Sequence, residues 1–149
     1  MNMYDSSAMY RDACESGKVI YASFYRTLLM LCKVLTNDIS IRQYMLAHNI
    51  QEYMLYGCNE CTEALLSVCS KEENLPTYIV DANYQRYRAK YSRFNLVKIE
   101  DLKSIDTLDL IIIMSNYNFN QIAKDLNHLG IQYDKIISIE EFLATLLLE

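Results

Sequence analysis

The stretch YMLYGCNECTEALL, Tyr53 to Leu66, decides how the rest of the chain is read. It has the form of a β-strand, a glycine turn and the opening of a helix. A dinucleotide-binding loop at this place carries G-x-G-x-x-G, one glycine each for the tight turn, the approach of pyrophosphate and close helix–strand packing. Here those positions hold Gly57, Asn59 and Thr62, with Cys58 and Cys61 in the gaps. Gly57 keeps the turn. Asn59 is a residue that tolerates the left-handed region, but its side chain stands where a pyrophosphate would lie. Thr62 puts a branched side chain at the packing position, and Glu60 and Glu63 bring negative charge to a helix end that would otherwise attract an anion.

Outward from this loop, residues 49–149 alternate short apolar runs with helical patterns, the sign of βαβ units. Strands are expected at Glu52–Tyr56, Thr77–Val80, Asn95–Lys98, Leu110–Met114 and Lys135–Ile137. Helices are expected near Asn59–Ser70, Glu100–Ser104, Phe119–Leu129 and Ile139–Leu148. The run LDLIIIMS fits a central strand buried on both faces. Gly130 stands just past a helix, where a left-handed cap favours glycine.

Residues 1–48 read as a separate helical segment. Asp5–Ser7 offers an N-cap and Gly17 a stop. A second helix runs from Lys18 to Asn37, and a third begins at Asp38 or Ser40 and ends around His48–Asn49. The middle helix is apolar on more than one side, so it needs cover from two directions. A homodimer through these helices, or another protein partner, would supply the second cover.

The fold class is therefore α/β: a parallel sheet of about five strands with helices on both faces, preceded by an N-terminal helical segment. At 149 residues with 52% hydrophobic and 22% charged residues, a full core is available. One proline and three glycines imply short connections. A net charge of −5 argues against nucleic acid, whose binders draw affinity from neutralised phosphates. Charged residues interrupt both the N-terminus and the apolar window Val19–Leu35, so neither a signal peptide nor a membrane span is expected, and the location is taken as cytoplasmic. Five cysteines without a secretory signal read as reduced thiols.

From SIRQYMLAHNIQEYMLYG to the C-terminus the order of motifs carries a resemblance. A short helix leads into a strand ending Tyr56–Gly57. The second strand, YIVDAN, ends at Asp81. LVKIEDLKSI, IIIMSNYNFNQI and KIISIEEFLATL follow in turn. This resembles a small Rossmann-like domain of bacterial surface-polysaccharide proteins, found beside glycosyltransferases. It is similar to the N-terminal domains of sugar acetyltransferases and the C-terminal domain of sugar C-methyltransferases. The resemblance implies a Rossmann-like sheet and an association with polysaccharide or glycan assembly.

With the strands in the order 3-2-1-4-5, the loops after the first and fourth flank the switch-point crevice. Gly57, Cys58 and Asn59 then face Ser115 and Asn116, while Asp81 stands where a carboxylate would hold a ribose hydroxyl. These six are the candidate ligand contacts. Asp81 also reads as a polar strand end facing solvent, and Asn118 as a cap of the next helix. No catalytic constellation or metal set is evident, and no cofactor is expected, with a nucleotide or NAD as the alternative. CNEC, Cys58–Cys61, has the context of a redox pair, but Glu60 and Glu63 disfavour its thiolates. His48 and His128 fall at the other end of the sheet, too far to join the cysteines around zinc. The segment Asn83–Phe94 interleaves Arg86, Arg88, Lys90 and Arg93 with tyrosines. It reads as a solvated helix or loop over the sheet edge, and an acidic protein partner ranks ahead of RNA.

Three functions follow: a non-catalytic interaction or regulatory module with a degenerate nucleotide loop; a nucleotide, NAD(H) or nucleotide-sugar binding protein; and a thiol-redox protein using Cys58 and Cys61.

Overall fold

Five strands form one all-parallel sheet in the order β3-β2-β1-β4-β5, in a computed structural model that describes the backbone of residues 3–149 and the side chains of residues 17–149. The strands are β1 Tyr53–Tyr56, β2 Tyr78–Val80, β3 Leu96–Val97, β4 Leu110–Ile113 and β5 Ile136–Ser138. The helices are α1 Met3–Thr36, α2 Ile41–Ala47, α3 Glu60–Lys71, α4 Tyr84–Tyr87, α5 Phe119–His128 and α6 Ile139–Leu148, with 3-10 turns at Ile99–Ser104 and Tyr133–Lys135. The α/β architecture and the strand count are as the sequence indicates, and the order is the one assumed in placing the crevice. The segment at Glu100–Ser104 is a 3-10 turn rather than an α-helix.

β4 is buried along its whole length, which is why its side chains read as one unbroken apolar run. Alternate strand residues divide between two cores. Tyr53, Leu55, Ile79 and Ile112 face the side covered by α1, α2, α3 and α6. Met54, Val80, Ile111 and Ile113 face α5 and the Ile99–Ser104 turn.

The N-terminal segment differs from expectation. Gly17 does not stop a helix: α1 runs through it, and through Asp5–Ser7, for 34 residues. One glycine costs a helix interior only about 1 kcal/mol relative to alanine, less than a packed helix recovers. The side chains of the first sixteen residues, Cys14 among them, lie outside the described residues. The real stop comes later. Asp38 is left-handed (φ 53°), and the amides of Ile39 and Asp38 donate to Val34 and Leu35 in a Schellman arrangement. The same pair of bonds closes α2 at Asn49, α3 at Glu73 and α5 at Gly130, and only the last uses glycine. Ser40, rather than Asp38, caps α2, its hydroxyl accepting the Gln43 amide.

Leu31 and Val34 of α1 and Ile41 and Met45 of α2 belong to the same core as the sheet. By length and composition Gly17–Thr36 is apolar enough to cross a membrane. One side of it is nevertheless committed to the domain through Thr27, Leu31 and Val34. Its other side leaves Tyr21 (78% exposed), Tyr25 (63%) and Leu29 (44%) at the surface.

Candidate functional site

The turn after β1 is held by a set of hydrogen bonds that begin and end within the chain. Gly57 is left-handed (φ 110°) and its amide donates to Val80, so the tight-turn role read from the sequence is present. Asn59 is extended (φ −151°), not left-handed. Its side chain caps α3: Oδ1 accepts the Thr62 amide at 3.1 Å, and Nδ2 donates to the Met114 carbonyl at 2.9 Å. Thr62 completes a capping box, since its fully buried hydroxyl accepts the Asn59 amide and donates to the Gly57 carbonyl at 2.7 Å. The two residues that replace glycine in the nucleotide pattern thus bond to each other and to both flanking loops.

Asp81, at the end of β2 and half-buried, bonds to backbone on both of its oxygens. One carboxylate oxygen accepts the Cys58 amide at 2.8 Å and the other accepts the Asn83 amide at 2.7 Å. The carboxylate therefore supplies, from within the chain, a negative partner for an N–H of the glycine turn.

Across the crevice, Asn116 ties three elements together. Its Nδ2 donates to the Thr27 hydroxyl (2.8 Å) and the Ser23 hydroxyl (3.1 Å) of α1. Its Oδ1 accepts the Glu140 amide in the first turn of α6 (3.1 Å). Both amide hydrogens and the carbonyl oxygen are used. Arg26 and Glu140, 3.7 Å apart, pair near this joint on the surface. Asn118 occupies the N-cap place of α5 without a capping bond from its side chain.

The two loops do face each other, as the strand order requires. Asn59, Met114, Ser115 and Asn116 line one half-open space of about 250 Å³, and Ile20, Ser23, Phe24 and Thr27 of α1 form its other wall. The N-terminal helix thus flanks the place where open α/β sheets bind ligands. Ser115 is the candidate whose hydroxyl enters no hydrogen bond among the described residues, while Gly57, Cys58 and Asp81 form the neighbouring turn. Ser23 and Thr27 were not singled out from sequence. The one available signal is a pair of hydroxyls four residues apart within the mostly apolar window Val19–Leu35.

The thiols of Cys58 and Cys61 are buried. Burial, reinforced by the Asp81 charge, pushes Cys58 up to about 12. Burial, then Glu60, pushes Cys61 up to about 11. Thiolates are the reactive form, so both are weak nucleophiles at neutral pH. Among the described residues no group of three His, Cys, Asp or Glu is placed to hold a metal ion. His48 pairs instead with Glu149, Nε2 to Oε1 at 2.7 Å.

Comparison with protein-family models, with curated proteins and with solved structures finds no match in any of the three.

Proposed function

We propose that the chain is a non-catalytic interaction module, cytoplasmic, that pairs with a second copy of itself through the outward side of α1. The observation that carries this reading is the switch-point crevice. Asn59, Thr62 and Asp81 spend their hydrogen-bonding groups on one another and on nearby backbone, Asn116 spends its own on the Ser23 and Thr27 hydroxyls and the Glu140 amide, and α1 forms one wall of the crevice. A ligand entering by the usual route would have to displace these bonds. Meanwhile α1 turns Tyr21, Tyr25, Leu29 and Leu35 to solvent, a run of apolar side chains that favours burial against another surface. The association with polysaccharide or glycan assembly rests on the motif resemblance alone.

A second reading, binding of a nucleotide, NAD(H) or a nucleotide sugar, draws support from the space of about 250 Å³ and the open Ser115 hydroxyl within it. The thiol-redox reading has the least support, because both cysteines are held as neutral thiols.

Two measurements separate these readings. Sedimentation velocity should show a dimer that Tyr25→Glu with Leu29→Glu converts to monomer; a monomeric wild-type chain overturns the self-pairing. A thermal melt against NAD(P)(H), nucleotides and nucleotide sugars should be flat. A ligand at a hundred times its Kd adds about 2.7 kcal/mol of stability, so a shift of several degrees that Asn116→Ala abolishes would establish the second reading. Flotation of the chain with anionic vesicles would instead assign the apolar side of α1 to a membrane.

A further inference from the structure

A second surface stands apart from α1, along the edge of the sheet. The segment Ala82–Ile99 holds five of the chain's fourteen lysines and arginines and none of its nineteen acids. All five, Arg86, Arg88, Lys90, Arg93 and Lys98, are exposed. Lys90 pairs with Glu63 of α3; the other four make no ion pair among the described residues. Of the five, Lys90 alone has a counter-charge in direct contact among the described residues, and Lys98 shares a surface pocket with Asp81 and Glu100, which leaves Arg86, Arg88 and Arg93 as the unpaired cations of the patch.

The patch is held in shape. Tyr91 is buried at the centre of the segment (2% exposed), against Tyr87 and Phe94 at ring separations of 6.0 and 6.2 Å. Backbone bonds from Arg86, Arg88, Tyr91 and Phe94 to residues three or four earlier wind the chain around this pin. The cations thus project from an ordered turn, which lowers the entropy lost when a partner binds. Beside them lies β3, an edge strand paired with β2 on one side only.

We propose that this face docks an acidic, extended segment of a partner protein. The patch supplies charge complementary to carboxylates, and the two-residue edge strand β3, whose Leu96 amide already donates to the Phe94 carbonyl at 3.1 Å, leaves side-chain cations as the main contacts. The occupant is not the same edge of a second copy, since five cations would then face five cations. Nor is it RNA. Base stacking needs free aromatic faces, but Arg86 lies over the Tyr87 ring and Lys98 over the Tyr84 ring, each 5.4 Å from the centroid. The proposal rests on the interaction-module reading and names the chemistry of one partner, at a surface separate from the α1 seam.

The test is fluorescence anisotropy with three labelled probes: a Glu/Asp-rich peptide, its Gln/Asn counterpart and a single-stranded RNA. The acidic peptide should bind, and binding should weaken as salt is raised. Arg88→Glu with Arg93→Glu should weaken it by about tenfold or more, Arg88→Gln with Arg93→Gln by less, and Lys124→Glu on α5 by less than about twofold. Equal binding of the Gln/Asn peptide, an equal loss in Lys124→Glu, or tighter binding of RNA overturns the proposal. Sedimentation of the same variants keeps the two readings distinct: loss of peptide binding with the dimer intact concerns this face alone.

Discussion

The Asp81 carboxylate accepts the amide of Cys58 at 2.8 Å, so the acidic end of β2 fastens the glycine turn that follows β1. In a nucleotide-binding sheet a carboxylate at this point faces a ribose. Here it faces the turn itself. Asp81→Ala should lower stability by about 1–3 kcal/mol, the range for losing a charged acceptor, and Asp81→Asn should recover part of it. Urea unfolding measures both. An unchanged midpoint in Asp81→Ala would return this carboxylate to the list of free ligand groups.

Asn116 is the joint between α1 and the start of α6. Asn116→Ala leaves the Thr27 and Ser23 hydroxyls and the Glu140 amide without this partner. The expected loss is about 1–3 kcal/mol. Hydrogen exchange should rise in residues 17–36 more than in β4, because the bonds broken tether the helix and not the sheet. A uniform rise would assign Asn116 to the core as a whole.

Two positions with positive φ should respond in opposite directions. At Gly57 an added Cβ meets the Met114 Cβ at an ordinary 3.6 Å, so the cost of Gly57→Ala comes from the backbone and is about 1–3 kcal/mol. At Glu73 (φ 52°), Glu73→Gly relieves the same kind of strain and should stabilise by about 0.5–1 kcal/mol after glycine's entropy is counted. Calorimetric melting temperatures give both signs.

Thiol labelling of the native chain near neutral pH should mark Cys32, which is exposed, and spare Cys58, Cys61 and Cys69. Burial is the largest cause holding all three up, Cys58 at about 12 and the others at about 11. Peptide mapping after alkylation reads each site. Rapid labelling of Cys58 and Cys61, followed by reversible disulfide formation, would sink the interaction-module account in favour of redox chemistry.

Asp109 should make stability depend on acid. Its Oδ2 accepts the amides of Glu52 and Gln51, each at 2.9 Å, and these bonds hold its carboxyl below the usual range. A depressed folded pKa gives stability that is complete above the unfolded value of about 3.9 and is lost as pH falls through the folded one. Asp109→Asn should therefore lower stability at neutral pH and flatten the curve below about pH 4, where the wild-type chain loses this contribution on protonation. An unaltered acid limb would remove Asp109 from the linkage.

How much of this was legible in the sequence varies with the range of the interaction involved. The strands were, because a β-branched run such as Leu110–Ile113 is what a strand covered on both faces requires, and parallel pairing follows from the helices between strands. The cap of α3 was partly legible: Asn59 and Thr62 stand at capping-box spacing, but their departure from glycine drew the reading towards a damaged ligand loop. The stop at Gly17 was misread because glycine weakens a helix locally, whereas α1 is held by packing along its length.

By itself, then, the amino-acid sequence determined the parallel sheet of about five strands and the helices between them, products of local periodicity and short connections, while the strand order entered as one arrangement consistent with them. Only the tertiary structure decided what fills the crevice. Asp81 meets Cys58 across 23 residues and Asn116 meets Thr27 across 89, and no local pattern records a hydrogen bond whose partner arrives only when distant elements pack.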